Sequence, residues 1–311
     1  MKICIIGAAG GIGQPLSLML TKQLPYGYIL SLYDINPLIN GIVKDLNHIP
    51  SNITIAGNYG DDLKLSLHQA DIVLIAAGVT RKMGMERSDL LSVNADIICK
   101  LIQKIMIFCP EAMLGVITNP INTIVPIIVN KMKKIDISSK NRIFGITTLD
   151  VIRSNTFIGK LKHQKPYDIN TIVVGGHSGA TIIPLLSKIP NITFSAEEIQ
   201  YLFNKIQNAG TEIIKAKNNS GSATLSMAYA AYKFCLSLID ALNGKNNVIE
   251  CAYVESNCEY SSFFAYPVHI GKNGIQNILS IKPINQMEVD KIKNMLPILH
   301  LDISMSNKYI N

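Results

Sequence analysis

Five side chains stand apart from the lysine-rich background of this 311-residue chain because of where they sit. His177 follows an apolar strand and lies among glycines in Gly175-Gly176-His177-Ser178-Gly179. An imidazole there stays accessible and changes charge near neutral pH, as a general base requires. Asp150 and Arg153 are three apart at the opening of a helical stretch and so share one face. Arg153 suits a carboxylate clamp, and Asp150 suits an acceptor for a histidine N–H. Arg81 and Arg87 share the polar segment Thr80-Arg81-Lys82-Met83-Gly84-Met85-Glu86-Arg87-Ser88. Two guanidiniums on a glycine-hinged segment suit a lid over an anion, because Arg grips carboxylates through paired N–H donors. Each has a plainer reading. A lone loop histidine is more often a bystander, the 80–88 segment equally fits a solvated loop, and Thr147-x-x-Asp150 fits a capping box. Spacing alone does not join His177 to Asp150.

The elements that must carry these groups begin at the N-terminus. Lys2 to Ile6 reads as a strand, Gly7-Ala8-Ala9-Gly10-Gly11-Ile12-Gly13 as a tight turn, and Gln14 onward as a helix. Glycines allow positive φ, close approach to a pyrophosphate and close helix packing, and the helix N-terminus then faces the phosphates. A second apolar run, Ile29 to Tyr33, ends in Asp34, where a carboxylate binds both ribose hydroxyls of NAD and repels the 2′-phosphate of NADP. The first half continues as alternating helices and strands, with a helix at 40–46, a strand at 53–56, a turn of helix at 63–69, a buried strand at 71–78, a helix at 93–109 and a strand at 113–118 stopped by Asn119-Pro120. That alternation predicts a doubly wound parallel α/β sheet, with Gly7–Gly13, Asp34, the 78–87 loop and Asn119 at the carboxyl ends of its strands. The second half is less regular. It reads as helices at 149–161, 196–217, 223–243 and from 286, with strands at 169–174, 248–255 and 265–270.

Composition excludes several classes. Hydrophobic residues make up 48% and charged residues 16%, which suits a globular core and excludes disorder. No apolar stretch reaches the length of a membrane span, and no signal or transit segment precedes the first strand, so no membrane partner and a cytoplasmic location are expected. Six cysteines form no C-x-x-C pair and no Cys/His zinc pattern, so reduced core thiols and no metal are expected. Net charge is +7 with pI near 9.0. The cations are nonetheless scattered apart from Lys131-Met132-Lys133-Lys134, which reads as a solvated helix end and not a nucleic-acid site.

Taken in order, Gly7–Gly13, Leu32-Tyr33-Asp34, Gly78-Val79-Thr80-Arg81-Lys82, Ile117-Thr118-Asn119-Pro120, Thr148-Leu149-Asp150-Val151-Ile152-Arg153-Ser154-Asn155 and Gly175–Gly179 closely resemble the malate dehydrogenases. These are the branch of the lactate/malate dehydrogenase family shared by bacteria and mitochondria. The likeness runs end to end and includes Asn208-Ala209-Gly210-Thr211-Glu212 and Gly221 to Ala228. It implies an N-terminal Rossmann domain over 1–145 and an α+β catalytic domain over 146–311. It also implies NAD-dependent oxidation of malate in the tricarboxylic acid cycle, and a homodimer. By resemblance, His177 is the general base and Asp150 orients it. Arg153 pairs with the C1 carboxylate, Arg81 with the far carboxylate, Arg87 polarises the C2–oxygen bond, and Asn119 contacts substrate and cofactor. Gly7, Ala8, Ala9, Gly10, Gly11, Ile12, Gly13, Asp34, Asn94, Ile117, Thr118, Asn119 and Met227 fall at cofactor positions, and the bond from Asn119 to Pro120 is expected to be cis.

Two departures and three rivals accompany this reading. Met83 stands where the family usually has proline, which frees the loop, and Pro297 predicts a kink or an early end in the last helix. A lactate dehydrogenase-like enzyme for another 2-hydroxy acid is the nearest alternative. The short-chain dehydrogenases share Gly7-x-x-x-Gly11-x-Gly13, and Tyr201-x-x-x-Lys205 or Tyr229-x-x-x-Lys233 would supply their Tyr/Lys pair, although both come too late in the chain. A non-catalytic NAD-binding protein or a nucleic-acid-binding protein would lack the acid/base pair and the arginines, which are present.

Overall fold

Six strands lie parallel in the order β3-β2-β1-β4-β5-β6, the doubly wound arrangement, and in the computed structural model the sheet continues beyond them. The structure describes residues 1–79 and 87–309, with side chains at all of these except 87–89. Their elements are β1 (Lys2–Ile6), α1 (Gly13–Gln23), β2 (Ile29–Asp34), α2 (Ile39–Leu46), β3 (Thr54–Tyr59), α3 (Leu63–Leu67), β4 (Ile72–Ile75), α4 (Arg87–Phe108), β5 (Met113–Val116), α5 (Ile121–Lys133) and β6 (Ile143–Ile146). The second half holds α6 (Thr148–Lys162), β7 (Ile172–Gly175), β8 (Ile182–Leu185), α7 (Ala196–Ala216), α8 (Leu225–Leu242), β9 (Val248–Glu255), β10 (Phe263–Gly271), β11 (Gly274–Ile278) and α9 (Gln286–Ser304). Both faces of the parallel part are covered by helices, so β4, β5 and β6 are buried along their whole length and read as unbroken apolar runs.

The halves share one sheet. Strand β9 pairs antiparallel with β6 through Gly145 and Ile146, and β10, β7 and β8 follow antiparallel in turn, with β11 on β10. That linkage seats β7, and the histidine loop after it, within reach of the carboxyl ends of the parallel strands.

Strands β6, β8 and β11 are additional to the sequence expectations, and the structure departs from those expectations at four further points. Helix α5 is not among the sequence expectations: Asn119-Pro120 reads as the stop of the preceding strand, Ile121 to Val129 is buried throughout, and Pro126 lies inside the helix. Pro126 offers no N–H to the carbonyl of Asn122. The hydroxyl of Tyr253, itself fully buried, donates to that carbonyl at 3.3 Å instead. The early end expected at Pro297 does not occur, and α9 runs on to Ser304. Pro297 and Lys293 are both exposed, so water can take the freed carbonyl, while buried Ile292, Met295 and Leu299 hold the helix on either side. By length and hydropathy α8 could cross a membrane, against expectation, yet half of it is buried and it packs on α1, α6 and the sheet as a core helix does. In the lysine cluster, Lys133 is not simply solvated, since it joins Glu255 at 2.7 Å.

Candidate active site

At the first turn the three glycines meet different demands. Gly7 has φ +89°, and a Cβ there would lie 2.6 Å from the Ala77 nitrogen, so neither conformation nor space admits a side chain. A Cβ on Gly13 would overlap the Gly7 carbonyl, because α1 starts hard against the turn. Gly10 is less confined, with the Gly7 carbonyl 3.3 Å from its Cβ position. A pyrophosphate at the uncapped N-terminus of α1 fits this bare backbone. The first turn of α1 carries no acidic residue to compete. Asp34, at the end of β2, accepts from the Ala9 N–H at 2.9 Å and from the Asn36 N–H at 3.0 Å, which fixes its carboxylate beside the turn. These residues fit the ribose and phosphates of NAD.

The strand ends beside the turn are laced together. Asn94 on α4, almost fully buried, accepts from the Val79 N–H at 2.8 Å and donates to the Asn119 carbonyl at 2.8 Å. Thr118 donates to the Ala77 carbonyl at 2.7 Å, and Ile117 is buried. Asn119-Pro120 is cis, as expected. The start of α8 abuts the turn, with Thr224 Cγ2 3.1 Å from a Cβ on Gly11, and Met227 is buried one turn later. Arg81 and Met83 lie outside the described residues; Arg87 opens α4, and its side chain lies outside them too.

Asp150 and His177 come together. The carboxylate Oδ2 is 2.6 Å from His177 Nδ1, with Asp150 1% and His177 9% exposed at the side chain. A carboxylate can only accept here, so Nδ1 carries the proton and Nε2 keeps its lone pair outward. The capping box does not form. Thr147 turns its hydroxyl to the Cys251 carbonyl at 3.0 Å and makes no cap, leaving Asp150 to the histidine. Arg153 reaches Asp150 Oδ1 at 3.9 Å, too long for a hydrogen bond, and that oxygen has no hydrogen-bond partner among the described residues. Burial pulls the Arg153 guanidinium below its ordinary pKa, with Asp150 opposing. A largely buried cation without a hydrogen-bonded anion is a receptor for one. Gly210 on α7 lies beside it, with a Cβ there 4.0 Å from Arg153 Nη1, an ordinary contact distance.

One site residue escaped the sequence reading. Asn122, 1% exposed in the first turn of α5, accepts from the His177 N–H at 2.8 Å and donates to Ser178 Oγ and to Asp302 Oδ2 on α9. Its one signal was a second asparagine inside an otherwise apolar run after Asn119-Pro120.

The comparisons with known proteins agree with this geometry. The sequence model of the lactate/malate dehydrogenase NAD binding domain matches residues 1–145, and that of the lactate/malate dehydrogenase alpha/beta C-terminal domain matches residues 147–309. Malate dehydrogenases of Yersinia pestis (strain Pestoides F) and Yersinia pseudotuberculosis (serotype I, strain IP32953) are each 52% identical over 311 residues, all of both chains. Among solved structures, Cryptosporidium parvum malate dehydrogenase superposes with a TM-score of 0.85 at 28% identity, covering 99% of each chain. Eimeria maxima lactate dehydrogenase gives 0.83 at 26%, covering 99% of this chain and 94% of that one. With a glycine turn and Asp34 that fit NAD, a His–Asp pair beside a largely buried arginine, and both domain models matched, the chain belongs to the lactate/malate dehydrogenase family and is an NAD-dependent dehydrogenase.

Proposed function

We propose that this chain interconverts (S)-malate and oxaloacetate, with NAD as hydride acceptor, in the tricarboxylic acid cycle. The observation that carries the reading is the 2.6 Å His177–Asp150 contact beside Arg153, a largely buried guanidinium with no hydrogen-bonded anion among the described residues. NAD, when bound, supplies the two-electron acceptor at its nicotinamide ring. The Gly7–Gly13 turn with Ala8, Ala9, Gly10, Gly11 and Ile12 would hold its phosphates, Asp34 its ribose, and Asn94, Ile117, Thr118, Asn119 and Met227 the remainder.

His177 Nε2 takes the proton of the C2 hydroxyl, and Asp150 stabilises the imidazolium that results. Arg153 binds the C1 carboxylate, Arg81 the far one, Arg87 draws electron density from the C2 oxygen, and Asn119 hydrogen-bonds the substrate. Three cations against two carboxylates leave a nearly neutral cluster, so the pocket can shed water around it. A site that recognised only one carboxylate would favour lactate; Arg81, assigned to the second, is the group that separates the two substrates. The boundary between an NAD-binding domain and a catalytic domain at 145/146, a homodimeric state and a cytoplasmic location complete the reading. An assay of NADH oxidation with oxaloacetate, pyruvate and branched 2-keto acids, repeated with NADPH, tests it. Fast turnover of oxaloacetate with NADH alone is expected, and preference for pyruvate or a branched acid would move the assignment to another 2-hydroxy acid. Light scattering tests the dimer.

A further inference from the structure

We infer that Asp302, near the end of the last helix, is a positioning residue for His177 that acts through Asn122. The inference rests on the activity proposed above and adds α9 to the machinery of the site. Asp302 lies in the last turn of α9, where the helix dipole disfavours a carboxylate and where no basic residue offsets it. Its Oδ2 accepts from Asn122 Nδ2 at 2.9 Å and from Ser178 Oγ at 3.2 Å. Its main-chain carbonyl accepts from Thr123 Oγ1 at 2.8 Å, so two successive residues of α5 grip it.

The chemistry of the asparagine amide turns this contact into control of the histidine. An amide has a donor end and an acceptor end, and nothing in its shape prefers one orientation. A carboxylate can only accept, so Asp302 fixes the NH2 of Asn122 toward α9. The Asn122 Oδ1 must then face the His177 N–H, at 2.8 Å. Were the amide to turn over, two donors would meet at that N–H and the loop would have to shift. His177 is thereby held at two points: Asp150 sets its ring, and Asp302 sets its backbone by way of Asn122. A displacement of about 1 Å at such a group is enough to cost up to about 10²-fold in turnover. Among the described residues the Asp302 carboxylate hydrogen-bonds Asn122 and Ser178, and neither is assigned to substrate.

Full-length variants with NADH and oxaloacetate test this. Asp302→Leu removes the acceptor and keeps bulk, and Asp302→Ala removes it with no larger group to accommodate. Both are expected to lower kcat about tenfold or more while the NADH dissociation constant and the oxaloacetate KM stay within about twofold, since the clamps are untouched. Asp302→Asn, which still offers an amide oxygen, is expected to restore most of the loss. Asn122→Ala combined with Asp302→Leu should turn over no more slowly than Asn122→Ala alone, because one acts through the other. Folded Leu and Ala variants with kcat within twofold of the parent would overturn the inference. Equal losses in NADH binding, or independent effects in the double variant, would overturn it as well. Failure of the parent protein itself to turn over oxaloacetate would count against the proposed activity and not against this arrangement, for which the His177 ring signals in the Asp302 variants then give the reading.

Discussion

The two ends of the site are built by opposite means. At the glycine turn the phosphate-facing machinery is backbone and absent side chains, drawn from β1, the turn and α1 within one short stretch, with Asp34 held against it at 2.9 Å. At His177 the machinery is side chains brought from α5, α6, the loop after β7, and α9, and the contacts span 27 residues from Asp150, 55 from Asn122 and 180 between Asn122 and Asp302. The first end needs emptiness, so a single added methyl is the damaging change. The second needs partners, so loss of one acceptor is the damaging change.

The sharpest break in that contrast comes from the partnered end. Asp150→Asn keeps the shape but lets an amide face Nδ1, which removes the charge that stabilises the imidazolium and allows the wrong tautomer. Turnover is expected to fall on the order of 10²–10⁴-fold with NADH affinity nearly unchanged. Stopped-flow NADH oxidation and fluorescence titration check the two halves, and equal loss in both would dissolve the distinction. Next in size is Arg81→Gln. It would leave one substrate carboxylate unpaired in a drying pocket, a loss of several kcal/mol, about 3–5 for comparable buried pairs. Oxaloacetate activity should drop by orders of magnitude while activity on pyruvate rises relative to it. Equal losses on both substrates would remove Arg81 from its assigned role.

The same contrast decides what could be read from sequence. The glycine turn, Asp34 and the alternation of parallel strands were legible because each is local and each follows from a period or a conformational need. Asp150 and His177 were legible as types but not as a pair, and Thr147-x-x-Asp150 pointed equally well to a cap that the structure does not form. Helix α5 was hidden by Pro126 inside it and by the Asn119-Pro120 stop before it, both of which argue locally against a helix. Asn122 and Asp302 were hidden for another reason. A polar residue in an apolar run, and an acid at the wrong end of a helix, look like exceptions until the fold sets them 2.9 Å apart.

Returning to the empty end, two glycines three residues apart separate protein demand from ligand demand. Gly13→Ala drives a methyl into the Gly7 carbonyl and should cost about 1–3 kcal/mol of stability. Gly10→Ala would bring its methyl to 3.3 Å from the same Gly7 carbonyl, a tight contact that a shift of a few tenths of an ångström relieves, so its melting temperature should fall less than that of Gly13→Ala. The NADH affinity of Gly10→Ala should fall about tenfold, the equivalent of about 1.4 kcal/mol. Thermal melts with and without NADH give both numbers. A Gly10→Ala protein that melts as early as Gly13→Ala in the absence of cofactor would mean that the turn is glycine-rich for its own sake.

The smallest effect tests whether the partnered end is as interlocked as its distances suggest. Tyr253→Phe removes the hydroxyl that donates to the Asn122 carbonyl, which Pro126 cannot serve. A buried acceptor without a partner costs about 1–3 kcal/mol, and because this bond is long at 3.3 Å the lower figure is expected. The side chain of Asn122 remains tied to Asp302, so stability should fall and turnover should hold within about twofold. Adding Pro126→Ala returns an N–H to that same carbonyl and completes the helical ladder. The double variant should therefore recover stability that neither change alone provides, a coupling that a denaturant titration of the four proteins measures directly. If Pro126→Ala stabilises the parent and the Tyr253→Phe protein by the same amount, the tyrosine and the proline act independently. The hydroxyl then fills space at the strand without serving the helix.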